Sequence, residues 1–177
     1  VPKDGIATAD GRLTFDQVAA GIAEAVQKLL GDPARAVEIL GAVVNDGVLR
    51  RLEKARALGN IVLDTQAIPH PLYPQARIRT PLIVRLGAAD GDCYLAEWFG
   101  PVAFVIATAS TGESLAIARD AVKTHGALTL SVYARDKDVI ERAIDVAEEA
   151  GVALSINLTG GVFVNQSAAF SDFHGTG

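Results

Sequence analysis

From Val102 onward the chain alternates. The apolar run "VAFVIAT" is followed by a helix-like stretch, then by "LTLSVYA", the amphipathic "DKDVIERAIDVAEEAG", "VALSINL" and "GVFVN". Neighbouring parallel strands need a crossover of about a dozen residues or more, commonly a helix, and near-continuous apolar strands need cover on both faces. Short apolar strands alternating with amphipathic helices therefore predict an α/β fold, with a mostly parallel sheet flanked by helices. The strand that opens the series at Val102 is expected to be wholly buried.

The first sixty residues read as mostly helical. In "LTFDQVAAGIAEAVQKLLG" the residues Phe15, Val18, Ala19, Ile22, Val26, Leu29 and Leu30 recur with the period of one helix face. Thr14 with Gln17 resembles a capping box, and Gly31 is expected to stop the helix in the left-handed conformation. A second helix is signalled by Asp32 as cap with Pro33 at the first helical position. In a third, "NDGVLRRLEKARALG", Val48, Leu49, Leu52, Ala55 and Leu58 face one way. After the short β-type run "NIVLDTQ", Pro69, Pro71, Pro74 and Pro81 make the next segment extended or looped. Ser110 with Glu113 marks a further capping box.

No repeat, low-complexity tract or interdomain linker divides the 177 residues, half of them apolar, so residues 1–177 are read as a single lobe with a sizeable core. Lys and Arg number 16 against 21 Asp and Glu, with neither sign gathered into a block, which argues against nucleic acid as a partner. No apolar run reaches the roughly 20 residues of a membrane span. One cysteine gives no disulfide framework, and with the scattered His70, His125 and His174 it gives no metal-ligand set. A cytoplasmic location is the default expectation. A start at Val1 and the lack of any methionine suggest a piece of a longer protein.

Sheets of this class carry their sites outside the carboxyl ends of the strands. The corresponding loops, "ASTGES", "ARDKD", "TGG" and "NQSAAFSDFHGTG", match neither phosphate-binding glycine pattern. Cys93 sits among Asp90, Asp92 and Glu97; carboxylates disfavour a thiolate in general, so Cys93 reads as a small apolar filler rather than a nucleophile. His125, in the last turn of a helix, has a structural explanation in the helix dipole. His174 lies on a candidate loop but is most simply a solvated residue. Glu97, Trp98 and Phe99 differ, because a carboxylate at the mouth of a buried strand needs a partner or an exit to a cleft. Either Glu97 is solvated or salt-bridged and the aromatics are core, or the carboxylate accepts hydrogen bonds from ligand hydroxyls while a ring lies against a flat ligand.

The same residues carry a resemblance. "AEWFGPV" resembles the E-x-F-G-P-V signature of the aldehyde dehydrogenase superfamily, with "TPLIVRL" ahead of it and "GALTLSVYARDKD" and "GGVFVNQSAAFSDFHGTG" behind it in the family's order. The match is good over residues 80 to 177, and the helical first half corresponds to the catalytic-domain region after the family's nucleophilic cysteine. "VPKDGI" and "LTGGVFVNQSAAFSDFHGTG" look most like the phenylacetate-degradation branch, whose ring-cleavage aldehyde carries a coenzyme A thioester.

The resemblance implies that Glu97 accepts hydrogen bonds from the nicotinamide ribose of NAD or NADP and that Phe99 packs beside the nicotinamide. It implies that Asn165 and Phe170 line the aldehyde entrance. The family's nucleophilic cysteine, its base, the cofactor-binding domain and the oligomerisation arm have no counterpart in these residues, so no catalytic residue is assigned, and the lobe alone is expected to be inactive. The longer protein is expected to form a homo-oligomer and to act on a small-molecule aldehyde, with the cofactor cleft of the isolated lobe prone to self-association. Ala96 in place of a second acid, Trp98 in place of an aliphatic and the ending "FHGTG" depart from the commoner pattern. Two rivals stand beside this reading: a freestanding α/β binding or assembly module without catalysis, and an acylating dehydrogenase that passes the acyl group to coenzyme A.

Overall fold

The computed structural model describes residues 1–159. In chain order the elements are β1 (Ile6–Thr8), β2 (Gly11–Leu13), α1 (Phe15–Leu29), α2 (Pro33–Ile39), α3 (Asp46–Arg56), β3 (Asn60–Leu63), β4 (Ala67–Ile68), β5 (Ile78–Arg79), β6 (Leu82–Gly87), α4 (Gly91–Tyr94), β7 (Val102–Ala107), α5 (Thr111–His125), β8 (Leu130–Val132), α6 (Lys137–Ala150) and β9 (Leu154–Ile156).

The centre is the parallel pair β6–β7, in register from Leu82 opposite Val102 to Gly87 opposite Ala107, with β3 antiparallel on the far side of β6. Successive residues of a strand point to opposite faces. On one face Ile83, Val105 and Ala107 pack against Phe15 and Ala19 of α1. On the other, Leu82, Val84 and Leu86 pack against Leu52 and Ala55 of α3. Leu82 and Val84 are fully buried on the α3 face and Ile83 is 3% exposed on the α1 face, so β6 is covered on both faces as its apolar run requires. Its one charge, Arg85, lies on the α1 side, paired with Asp16 and with its guanidinium 4.6 Å from the centre of the Phe15 ring.

The α/β class holds, and both β6–β7 and β8–β9 are parallel. The sheet is less continuous than the alternation implied. Among the described residues β8–β9 forms a sheet of its own, and the β1–β2 and β4–β5 pairs are small antiparallel additions. Neither the β1–β2 hairpin nor α4 is signalled by the residue pattern. Strand β7 is also less buried than expected. Ala103 is exposed while Phe104 and Ile106 are half-buried, because only its β6 side carries a full ladder.

The helix ends largely follow local chemistry. The Thr14–Gln17 capping box is reciprocal, and Asp32, Asn45 and Asp136 each cap a helix through their side chains. Two details differ. Helix α1 ends on Leu30 at ordinary negative φ, and the glycines at positive φ are Gly5, Gly11, Gly100, Gly126 and Gly151, not Gly31. At α5, Ser110 accepts from the Glu113 amide at 3.1 Å, but the Glu113 carboxylate reaches past the cap to the amide of Ala109.

Candidate functional site

The segment Leu95–Pro101 leads from α4 into β7, and three anchors fix its backbone. Trp98 turns inward: its indole N–H donates to the Cys93 carbonyl at 2.7 Å, and its ring meets Phe104 edge-on at 5.9 Å beside the cluster that α3 builds with the sheet. Arg51, on α3, donates from Nε to the Phe99 carbonyl at 2.7 Å and holds its guanidinium 5.9 Å from the centre of the Phe99 ring. Gly100 sits at φ 147°, where a side chain is strained, and a Cβ there would lie 3.0 Å from Val48 on α3. Helix α3 therefore sets the path of the whole turn.

With the backbone pinned, two side chains are left pointing outward. Phe99 is 71% exposed, unusual for an aromatic on so constrained a turn. Glu97 is exposed as well and makes no hydrogen bond or ion pair among the described residues. The three adjacent residues thus split by role. Trp98 is core, as the structural explanation had it, while Glu97 and Phe99 present an unpaired carboxylate acceptor and a flat apolar face side by side in sequence. Such a pair can accept hydrogen bonds from a diol and cover one side of a planar ring.

Cys93 is half-buried against the Leu52–Leu82 cluster, with its amide bonded to the Asp90 carbonyl at 2.9 Å. Tyr94 beside it donates to the Ala88 carbonyl at 2.9 Å, and burial, assisted by Glu113 and Asp90, holds its phenol above the usual tyrosine range. His70 is used locally: its Nδ1 accepts from the amides of Leu72 and Tyr73 at 3.1 and 3.2 Å. His125 closes α5 before Gly126. Asn165, Phe170 and His174 lie outside the described residues. Among the described residues no group of three or more His, Cys, Asp or Glu side chains is placed to hold a metal ion, and no helix is long and apolar enough to cross a membrane.

Sequence reasoning missed Arg51. No local signal could link it to Phe99, 48 residues away.

Fold and site together define an α/β catalytic-type domain that offers a carboxylate and an aromatic at the mouth of a parallel strand. Residues 12–173 match the model of the aldehyde dehydrogenase family, and the chain belongs to that family. It is similar to the crystal structure of an NAD-dependent aldehyde dehydrogenase from Burkholderia multivorans, with 60% sequence identity and a TM-score of 0.91 over 97% of this chain and 31% of that one. The chain thus spans less than a third of the length of that relative. No curated protein matches it.

Proposed function

We propose that this chain is part of an NAD(P)-dependent aldehyde dehydrogenase, contributing the clasp on the nicotinamide end of the cofactor. The observation that carries the reading is the outward pair on a pinned backbone: Glu97 has no partner within the described chain, and Phe99 is held exposed by Arg51. Their chemistry fits the cofactor. The Glu97 carboxylate suits the two ribose hydroxyls, and the Phe99 ring suits one face of the nicotinamide. The cofactor, when bound, supplies the acceptor for the hydride that leaves the substrate. The part of these residues is to orient it and to exclude water from one side. The 60% identity to a protein described as NAD-dependent supports the same cofactor class.

The nucleophilic cysteine and the base belong, on this reading, to the portion of the longer protein that the lobe does not include, so the lobe alone does not turn over. Asn165 and Phe170 are assigned to the aldehyde entrance on sequence resemblance. The phrases "VPKDGI" and "LTGGVFVNQSAAFSDFHGTG" favour an aldehyde of aromatic (phenylacetate) catabolism that carries a coenzyme A thioester. A cytoplasmic homo-oligomer is the form expected of the longer protein.

The test is aldehyde-dependent reduction of NAD and NADP by the full-length protein. Glu97→Gln is expected to raise the KM for the cofactor by roughly tenfold or more, since a hydrogen bond to a charged acceptor contributes about 1.5–3 kcal/mol. Cys93→Ala is expected to leave turnover unchanged, and the 177-residue chain alone to show none. Inactivity of the full-length protein with every aldehyde, or loss of activity in Cys93→Ala, would put the binding-module reading in its place.

A further inference from the structure

Four aspartates in this chain are followed directly by glycine: Asp4, Asp10, Asp46 and Asp90. That dipeptide carries a chemistry of its own. A glycine amide has no side chain to hinder it, so its nitrogen can close onto the preceding carboxyl carbon and form a five-membered succinimide. The step needs a carboxyl free to turn toward the amide, and it runs from the protonated acid, because the departing oxygen leaves as water.

Three of the four are held away from that geometry. Asp4 pairs with Arg12 at 2.5 Å, and the Gly5 amide donates to the Pro2 carbonyl at 2.9 Å in a turn so close that a Cβ on Gly5 would lie 1.8 Å from the Leu13 carbonyl oxygen. Asp46 pairs with Arg77, whose hydrogen bond and charge hold its carboxyl below the usual carboxylate range and so keep it ionised, and the Gly47 amide is committed to Asn45 Oδ1 at 2.7 Å. Asp90 turns its carboxylate back to accept from the Gly87 amide at 2.7 Å, while its carbonyl accepts from the Cys93 amide at 2.9 Å.

Asp10 differs on each count. It sits at the tip of the β1–β2 hairpin, exposed, and makes no hydrogen bond or ion pair among the described residues. Gly11 after it stands at φ 131°, a conformation that favours glycine, and nothing lies within 4 Å of where its Cβ would be.

We propose that Asp10 is the site at which the folded chain isomerises to isoaspartate. The Gly11 nitrogen loses its proton and bonds to Asp10 Cγ as the Cγ–OH bond breaks and water leaves. A second water then opens the ring at the Asp10 backbone carbonyl. The water lost is regained, so the mass is unchanged, but the backbone now runs through Cβ and Cγ and the α-carboxylate hangs free. An atom is thereby added to a hairpin loop whose length is set by the register of Thr8 opposite Gly11 and Ala7 opposite Arg12. The lengthened loop leads directly through β2 into the Thr14 cap of α1.

The test is the rate of isoaspartate formation at each of the four positions at neutral pH, in the folded chain and in urea, read by enzymatic isoaspartyl methylation and by fragmentation of tryptic peptides. Residues 4–12 form one such peptide, holding Asp4 and Asp10, and residues 36–50 another, holding Asp46. The emission of Trp98, the only tryptophan, identifies the folded sample through its urea transition. Should the chain alone show no transition, the full-length protein takes its place. Asp10 is expected to react in the folded sample within a few-fold of its rate in urea, while Asp4, Asp46 and Asp90 are slowed by about tenfold or more, since each must wait for a local opening. Asp10→Glu, which would need a six-membered ring, should remove the signal without moving the urea midpoint, and Arg77→Gln should raise the rate at Asp46 several-fold. Equal rates at all four positions in the folded sample overturn the inference, as does slowing of Asp10 to the level of the others or a signal that survives Asp10→Glu. So would an unchanged Asp46 rate in Arg77→Gln, since the partners of the carboxylates would then not set the ranking.

Discussion

Two regions of this molecule are built to different standards of burial. Around β6 the sheet is clamped by α1 on one face and α3 on the other, and nearly every apolar residue of the strand is enclosed. The α5–β8–α6–β9 unit is looser: α5 has no buried residue, and α6 buries only Ala143 and Ala147. Yet both regions have sound helix caps and one parallel strand pair each. Local signals of equal quality thus produce a finished core where a strand has neighbours on both sides and a more open one where, among the described residues, it has not. The candidate site lies at the finished end, on the turn into β7 that α3 holds in place.

The largest expected contrast is in core deletions. Leu52→Ala should lower global stability by about 2–5 kcal/mol, while Ile117→Ala on α5 should cost only about 1 kcal/mol. Urea unfolding of the two variants measures both, and equal costs would erase the distinction between the regions. A smaller contrast lies in the caps. Thr14→Ala and Asp136→Ala each remove a side-chain acceptor at a helix start, at a local cost of about 1 kcal/mol. The first should shift the global unfolding midpoint, whereas the second should appear as faster amide exchange confined to α6. A global effect from both would show the two regions to be one cooperative unit.

The smallest expected effect is in pH. Because burial lowers the pKa of the Val1 ammonium in the folded chain, the unfolded chain binds more protons between that lowered value and the ordinary one. Stability should therefore rise with pH through that window and level off above about pH 8. N-terminal acetylation should remove this slope, as read from melting temperatures across the range. Asp46, Asp120 and Glu149, held below the usual carboxylate range by hydrogen bonds from Arg77, Arg119 and Lys123, titrate in acid and leave the window clear.

Much of this was legible in the residues alone. The period of Phe15, Ala19, Ile22 and Val26, the caps at Thr14, Asp32 and Ser110, and the apolar runs of β6 and β7 are consequences of neighbours a few residues apart, so the helices, the strands and the α/β class could be read directly. The motif around Glu97 likewise pointed to the family. What tertiary structure alone decided was direction and connection. Trp98 and Phe99 look alike as letters, but one is drawn into the α3 side of the core by the Cys93 carbonyl and Phe104, and the other is held out by Arg51. The separation of β8–β9 from the central sheet was equally hidden, because an apolar run states that a strand will be covered and not which strand will lie beside it. Local periodicity is fixed by backbone geometry over one or two turns; the pairing of residues 48 or 105 positions apart is fixed only when whole elements pack.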